Sequence, residues 1–208
     1  MKTPSYKINP NFRLSTPHMS VAWHLADAYT IDCEAAIDMP GRHVFRYKKS
    51  PQVLVQVYGE NDEARVDLIY HAATDFEARG IQKWLRELFR DIIFNVAAAV
   101  LPARVRHWER QKGLYGAGVE IKRLKNSVLG CCSYNNIITL QPFLVLFKEE
   151  WTDEIILHEM AHYRYKHHKS SFWKFLSSLL GCDARQAKAK KDIEMSPYYG
   201  YCLYLTKN

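Results

Sequence analysis

Residues 152–173 read TDEIILHEMAHYRYKHHKSSFW, and five of them, His158-Glu159-Met160-Ala161-His162, limit what the chain can be. Thr152 offers a capping hydroxyl, and Asp153 and Glu154 favour the positive end of a helix dipole, so the stretch predicts a helix that begins after Thr152. On that helix, histidines at i and i+4 lie about 40° apart and one turn along the axis. Both imidazoles can then reach one metal ion, with Glu159 beside them. With 9 histidines in 208 residues, such a motif arises by chance at roughly 0.02 per chain. A further histidine at the one additional offset of ten, His168, lowers that to about 0.001. Three nitrogen ligands leave the fourth position of a tetrahedral zinc open for water, as in catalytic sites and not in closed structural ones.

The third ligand needs a turn. In an unbroken helix, residue 168 would lie about 15 Å along the axis from residue 158 and some 80° around it. The chain must therefore leave the helix near residues 164–167, where Arg164-Tyr165-Lys166-His167 contains no glycine. His167 competes with His168, and adjacent residues in an extended segment point in opposite directions, so only one of them can face the metal.

Outward from this stretch, hydrophobic periodicity organises the chain. Ile81, Trp84, Leu85, Leu88, Phe89, Ile92, Ile93 and Val96 form the apolar stripe of a long helix. Pro102 predicts a break near Leu101 and a fresh helical segment running to Gly113. Before this helix, His43–Tyr47 alternates, and Val53, Val55 and Val57 pair with Val66, Leu68 and Tyr70 as a hairpin across residues 52–70. The segment Val21–Ile37 fits strand or helix equally. Val119–Ile121 and Ile137–Leu140 read as short strands flanking a Gly130-Cys131-Cys132-Ser133 loop.

Several further features carry a bland reading and a sharp one. Asn136–Leu140 reads either as a buried strand or as the strand along which an extended peptide adds. Tyr198, Tyr199, Tyr201 and Tyr204 suit a packed aromatic tail better than a donor to an oxyanion. Met195-Ser196-Pro197-Tyr198 is more simply packing than a turn beneath a metal. Cys131 and Cys132 are buried free thiols before they are reactive ones. Arg104, Arg106, Arg110, Lys112, Lys122, Arg123, Lys125, Lys188, Lys190 and Lys191 read as solvated faces first and as a phosphate-contacting surface second.

Taken together, Val119-Glu120-Ile121-Lys122-Arg123, Ser127, Gly130-Cys131-Cys132-Ser133, Asn136-Ile137-Ile138-Thr139-Leu140 and HEMAHYRYKHHKSSFW from His158 to Trp173 resemble the YgjP-like metallopeptidase family. The resemblance spans about residues 80–180. In that family the loop usually reads Ser-Arg-Trp-Gly-Ser-Cys-Ser, whereas Val128 and Leu129 stand here in place of the Arg and Trp. The family's third histidine, counted back from Phe172-Trp173, falls on His168. The resemblance implies a zincin-type minimal protease, related to the WLM and SprT-like proteins, with Zn2+ held by His158, His162 and His168 and with Glu159 as the catalytic base.

Composition agrees with this and excludes other classes. The chain is 48% hydrophobic and 25% charged, with a net charge of +7, so it folds around a core and is neither a disordered tail nor a fibre. The opening residues carry prolines and charges where a secretory signal needs an apolar run, and five cysteines without a CxxC give no disulfide framework, so a cytoplasmic protein is expected. The longest apolar stretch, Ile92–Leu101, is too short to cross a bilayer. The expected fold is α+β, a zincin-like single domain with an N-terminal strand-rich portion (1–74) and a metallopeptidase core (75–208) holding a mixed sheet and the HExxH helix. The expected partner is a peptide or protein substrate. A DNA-associated protease of the WLM or SprT type, with nucleic acid as a partner, and an inactive zinc-organised binding module are the alternatives.

Overall fold

The computed structural model describes residues 6–26, 42–47, 50–60, 63–125 and 128–206. Ser127, Cys33 and the part of Val21–Ile37 beyond Ala26 lie outside the described residues. Among the described residues the fold is mixed α+β, with four α-helices and two mixed sheets. The chain divides into two compact units, Met1–Ile92 with Tyr204–Asn208, and Ile93–Leu203.

The first unit is built on five strands, β1 (Leu14–Ser15), β2 (Met19–Ala26), β3 (Arg42–Tyr47), β4 (Ser50–Glu60) and β5 (Glu63–His71), in the order β1-β2-β5-β4-β3. The expected hairpin is β4–β5, antiparallel with Val57 opposite Val66 and Val55 opposite Leu68. Val53, Val55, Val66 and Leu68 are fully buried, as the alternation requires. β2 adds to β5 in parallel, which settles the ambiguous segment as strand up to Ala26. Ile81, Leu85, Phe89 and Ile92, from the start of helix α1 (Arg79–Lys112), are buried in their helical stripe.

Helix α1 runs unbroken through Pro102, contrary to the expected break at Leu101. The proline removes one bond, to the carbonyl of Ala98, and Ala98 is on the exposed face where solvent can satisfy that carbonyl. The helix ends as the sequence indicates, with Gly113 in the left-handed region at φ 60°.

In the second unit, β6 (Gly118–Ile121), β7 (Gly130–Cys132) and β8 (Ile137–Leu140) form a sheet in the order β6-β8-β7. Two expectations change here. The Gly-Cys-Cys loop is a strand, too short for alternation to reveal, held antiparallel to β8 with Cys131 opposite Thr139. β8 is the central strand, paired on both sides, so its edges are closed to an added peptide and β7 supplies the edge. Bonds between Leu129 and Gln141 and between Ser133 and Ile137 flank the β7–β8 ladder, so Gly130 and Cys132 turn their amides and carbonyls away from β8. In the β7–β8 turn Asn136 takes φ 61°, a conformation that asparagine tolerates better than most residues.

A 3-10 turn (Pro142–Leu146) leads into α2 (Glu149–Ala161), followed by α3 (Ser170–Leu180) and α4 (Ala184–Thr206). The α2 helix begins three residues earlier than the expected Thr152 cap. Glu149 and Glu150 occupy its first turn, and the buried Thr152 hydroxyl donates back to the Leu144 carbonyl at 3.0 Å. Asp153 ties α2 to the second half of α1, accepting two bonds of 2.6 Å from Arg104 and one of 2.8 Å from the Trp108 indole. Removing a half-buried carboxylate that satisfies three charged or indole donors costs about 2 kcal/mol. Asp153→Ala is therefore expected to lower the unfolding free energy measured by urea titration by that amount while Asp153→Asn retains part of it; an unchanged unfolding free energy for the alanine variant would contradict the clamp.

Candidate metal centre

The last turn of α2 carries His158 and Glu159, and His162 stands at its C-cap with helical dihedrals. The helix ends in two tightening bonds, Tyr163 N–H to Met160 and Arg164 N–H to Ala161, and the Ala161 carbonyl also accepts from the Tyr165 N–H. Among the described residues the only non-glycine at positive φ is Asn136, so the turn after α2 reverses the chain without left-handed strain.

That reversal returns His168 to the helix. His158 Nε2 and His168 Nε2 are 3.0 Å apart, and one nitrogen from each of His158, His162 and His168 falls within a 4.8 Å group. His167 goes elsewhere: its ring lies 5.9 Å from that of Tyr165, and its Nδ1 accepts the Lys169 amide. Phe172, fully buried on α3, is the common floor; its ring lies 4.6 Å from His162 in a stack, 4.6 Å from His168 and 4.9 Å from His158. The Trp173 indole donates to the His168 carbonyl at 3.0 Å.

The protonation states suit a cation. Burial pushes His158 down to about 3, with like charge from the neighbouring imidazoles and lysines adding to it. Burial also lowers His162 and His168. All three are therefore neutral at pH 7 and carry a lone pair. His162 Nδ1 lies 2.7 Å from the Tyr165 carbonyl, which only accepts, so Nδ1 bears the proton and Nε2 is the free donor atom. The donor set fits zinc. Three imidazoles make a borderline nitrogen cluster, and the 3.0 Å spacing is within a few tenths of an ångström of the roughly 3.3 Å between two nitrogens on a tetrahedral Zn2+.

Glu159 is 6% exposed, and burial pushes its carboxyl up to about 8, opposed in part by the Lys191 ammonium. Gly130 of β7 packs against it: a Cβ there would stand 2.9 Å from Glu159 Cγ. Two hollows meet at His158 and Glu159. One, of about 370 Å³, is bounded by β7, Tyr134, Lys166 and the other two histidines; the second, of about 600 Å³, is bounded by Val128, Leu129, Ile155 and α4.

Four supporting residues escaped the sequence reading. Glu109, 1% exposed, accepts from Arg106, from the Gly116 amide and from the Tyr163 hydroxyl, so it holds the chain beside His162. Gly116 leaves room for the Tyr163 ring, which a Cβ would meet at 2.3 Å. Lys166 donates to the Ser133 carbonyl and to Asn136 Oδ1, each at 2.6 Å, latching the turn onto the β7–β8 hairpin. Lys191 is buried and paired with Glu154 at 2.7 Å, in a stretch whose lysine-rich composition signals a solvated face.

The other candidates separate clearly. Cys132 has its thiol pushed up by burial, with Lys166 only partly opposing, so it is not a thiolate. The four tyrosines lie on α4, and Met195 is buried within that helix. Of the basic residues read as a phosphate surface, Arg104, Arg106, Lys122, Lys188, Lys190 and Lys191 are engaged by carboxylates. Among the described residues no helix is long and apolar enough to cross a membrane.

The family description "YgjP-like, metallopeptidase domain" matches residues 36–190. Among solved structures, the chain is similar to the metallopeptidase zymogen abylysin of Pyrococcus abyssi, at 24% identity and a TM-score of 0.39, over 45% of this chain and 93% of that one. No curated protein matches.

The buried carboxyl has a consequence for the metal-free protein. Glu159 holds its proton up to about 8 when folded and loses it near 4.5 when unfolded, so between those values the folded state binds more protons and stability falls as pH rises. Glu159→Gln escapes that penalty. In chelator, its melting temperature relative to the unsubstituted protein is expected to climb between pH 5 and pH 8; a constant difference would contradict the buried, neutral carboxyl.

Proposed function

Because the chain belongs to the YgjP-like metallopeptidase family, we propose that it is a zinc-dependent peptidase of the zincin type, in which His158, His162 and His168 hold the metal and Glu159 is the base. The observation that carries this reading is the meeting of three neutral imidazoles beside one buried carboxyl. When bound, the zinc ion supplies Lewis acidity, which brings the pKa of water to about 7 and polarises a carbonyl.

The protein's own residues do the rest. His162 is fixed in its tautomer by the Tyr165 carbonyl, and Phe172 holds all three rings in place. Glu159 takes the proton of the attacking water and delivers it to the leaving amine. With a divalent cation on the adjacent imidazoles, the Glu159 carboxyl would fall from about 8 into the ionised form that can accept. The peptide lies along β7, whose Gly130 and Cys132 offer outward backbone groups next to Glu159, so the chain of the substrate adds as a strand and brings its scissile bond to the base. The free thiols Cys131, Cys132, Cys182 and Cys202 suit the reducing cytoplasm, where we place the protein.

Two measurements separate the roles. Glu159→Gln is expected to bind zinc stoichiometrically and to lose casein hydrolysis by about a hundredfold or more; zinc loss or undiminished hydrolysis would contradict its role as base. His168→Ala is expected to lose most bound zinc while His167→Ala retains it, as read by metal analysis of the dialysed proteins, and the reverse pattern would assign the ligand to His167.

A further inference from the structure

A peptide carbonyl attacked by water develops a negative oxygen, and in a site shielded from solvent a donor aimed at that oxygen is worth far more than in water. The groups around the histidine cluster differ in whether they are free to supply it. Lys166 is committed to Ser133, Asn136 and the Cys132 sulfur. Lys191 is buried and held by Glu154 at 2.7 Å. The Tyr199 hydroxyl is sealed from the surface of the cleft that its residue helps to line.

Lys188 differs from all three. It lines the 600 Å³ cleft together with His158 and Glu159, and its side chain is 45% exposed. Its partner, Asp192, is the i+4 neighbour on α4 and is itself 47% exposed, a solvent-screened pairing that gives way easily. His158 and Glu159 border both hollows, so the cleft that Lys188 lines opens onto the imidazole cluster and the buried carboxyl alike.

We propose that Lys188 is a further catalytic residue, whose ammonium leaves Asp192 to meet the carbonyl oxygen as it becomes negative. The proposal rests on the peptidase reading above. Lysine keeps its proton throughout: the water oxygen bonds to the carbonyl carbon, the carbon–nitrogen bond breaks, the proton taken by Glu159 goes to the amine, and the ammonium returns to Asp192.

The test compares the zinc-loaded protein with Lys188→Met and Lys188→Arg, on a fluorogenic peptide taken from a casein cleavage site and on a phosphinic peptide whose tetrahedral anion mimics the attacked carbonyl. Lys188→Met is expected to lower kcat about 100-fold, with KM within twofold and zinc content unchanged, and Lys188→Arg to regain at least tenfold. Affinity for the phosphinic peptide is expected to fall about 100-fold while affinity for the cleaved product peptide stays within twofold. Unchanged kcat, or a raised KM at unchanged kcat, overturns the proposal. If the zinc-loaded protein cleaves nothing, the peptidase reading fails, and phosphinic binding decides Lys188 by itself: a loss in Lys188→Met supports an anion-facing role, and equal affinity overturns it.

Discussion

Three imidazoles crowd onto one buried phenyl ring, that of Phe172, and the placement of the candidate metal centre depends on that contact. A helix can bring His158 and His162 together unaided, but His168 must be returned by the turn after α2, and a single ring-to-ring hydrogen bond to His158 is too little to hold it there. Phe172 supplies an apolar floor that all three rings share, and the adjacent Trp173 fixes the backbone of His168 through its carbonyl. The pair sits at the start of α3, so the helix that packs beneath the site is also the one that positions it.

Around this floor the polar contacts are arranged to hold segments, with charge kept off the rings. Lys166 joins the turn to the β7–β8 hairpin, Glu109 joins Tyr163 to the segment after α1, and Asp153 joins α2 to α1. Burial leaves the histidines neutral and Glu159 in a dry setting, and the nearby lysines add to the effect at His158. In such a setting a carboxylate is unstable without a cation beside it, so on the proposed reading metal binding and ionisation of Glu159 would be coupled.

What the sequence made legible follows the range of each signal. The three histidines and Glu159 lie within eleven residues, so their spacing is a local property. The α1 stripe and the β4–β5 hairpin are periodic over enough residues to show. The corrections came where tertiary context outweighed local rules. Pro102 is tolerated because Ala98 faces solvent, Thr152 is drawn back to Leu144 instead of capping, and β7 is a strand because β8 pairs with it. Glu109, Lys166 and Lys191 were beyond reach for a related reason: their partners Tyr163, Ser133 and Glu154 are 33 to 54 residues away, and no motif links them. Lys191 was actively misleading, since a lysine in a basic run reads as solvated.

The central claim is that three imidazoles and no thiolate form the metal site, although Cys132 borders the same hollow. X-ray absorption at the zinc edge of the zinc-loaded protein tests it most directly. The account predicts a first shell of about three imidazole nitrogens and one oxygen at roughly 2.0–2.1 Å, and the same spectrum for Cys132→Ser. A sulfur scatterer near 2.3 Å that disappears in Cys132→Ser would contradict it.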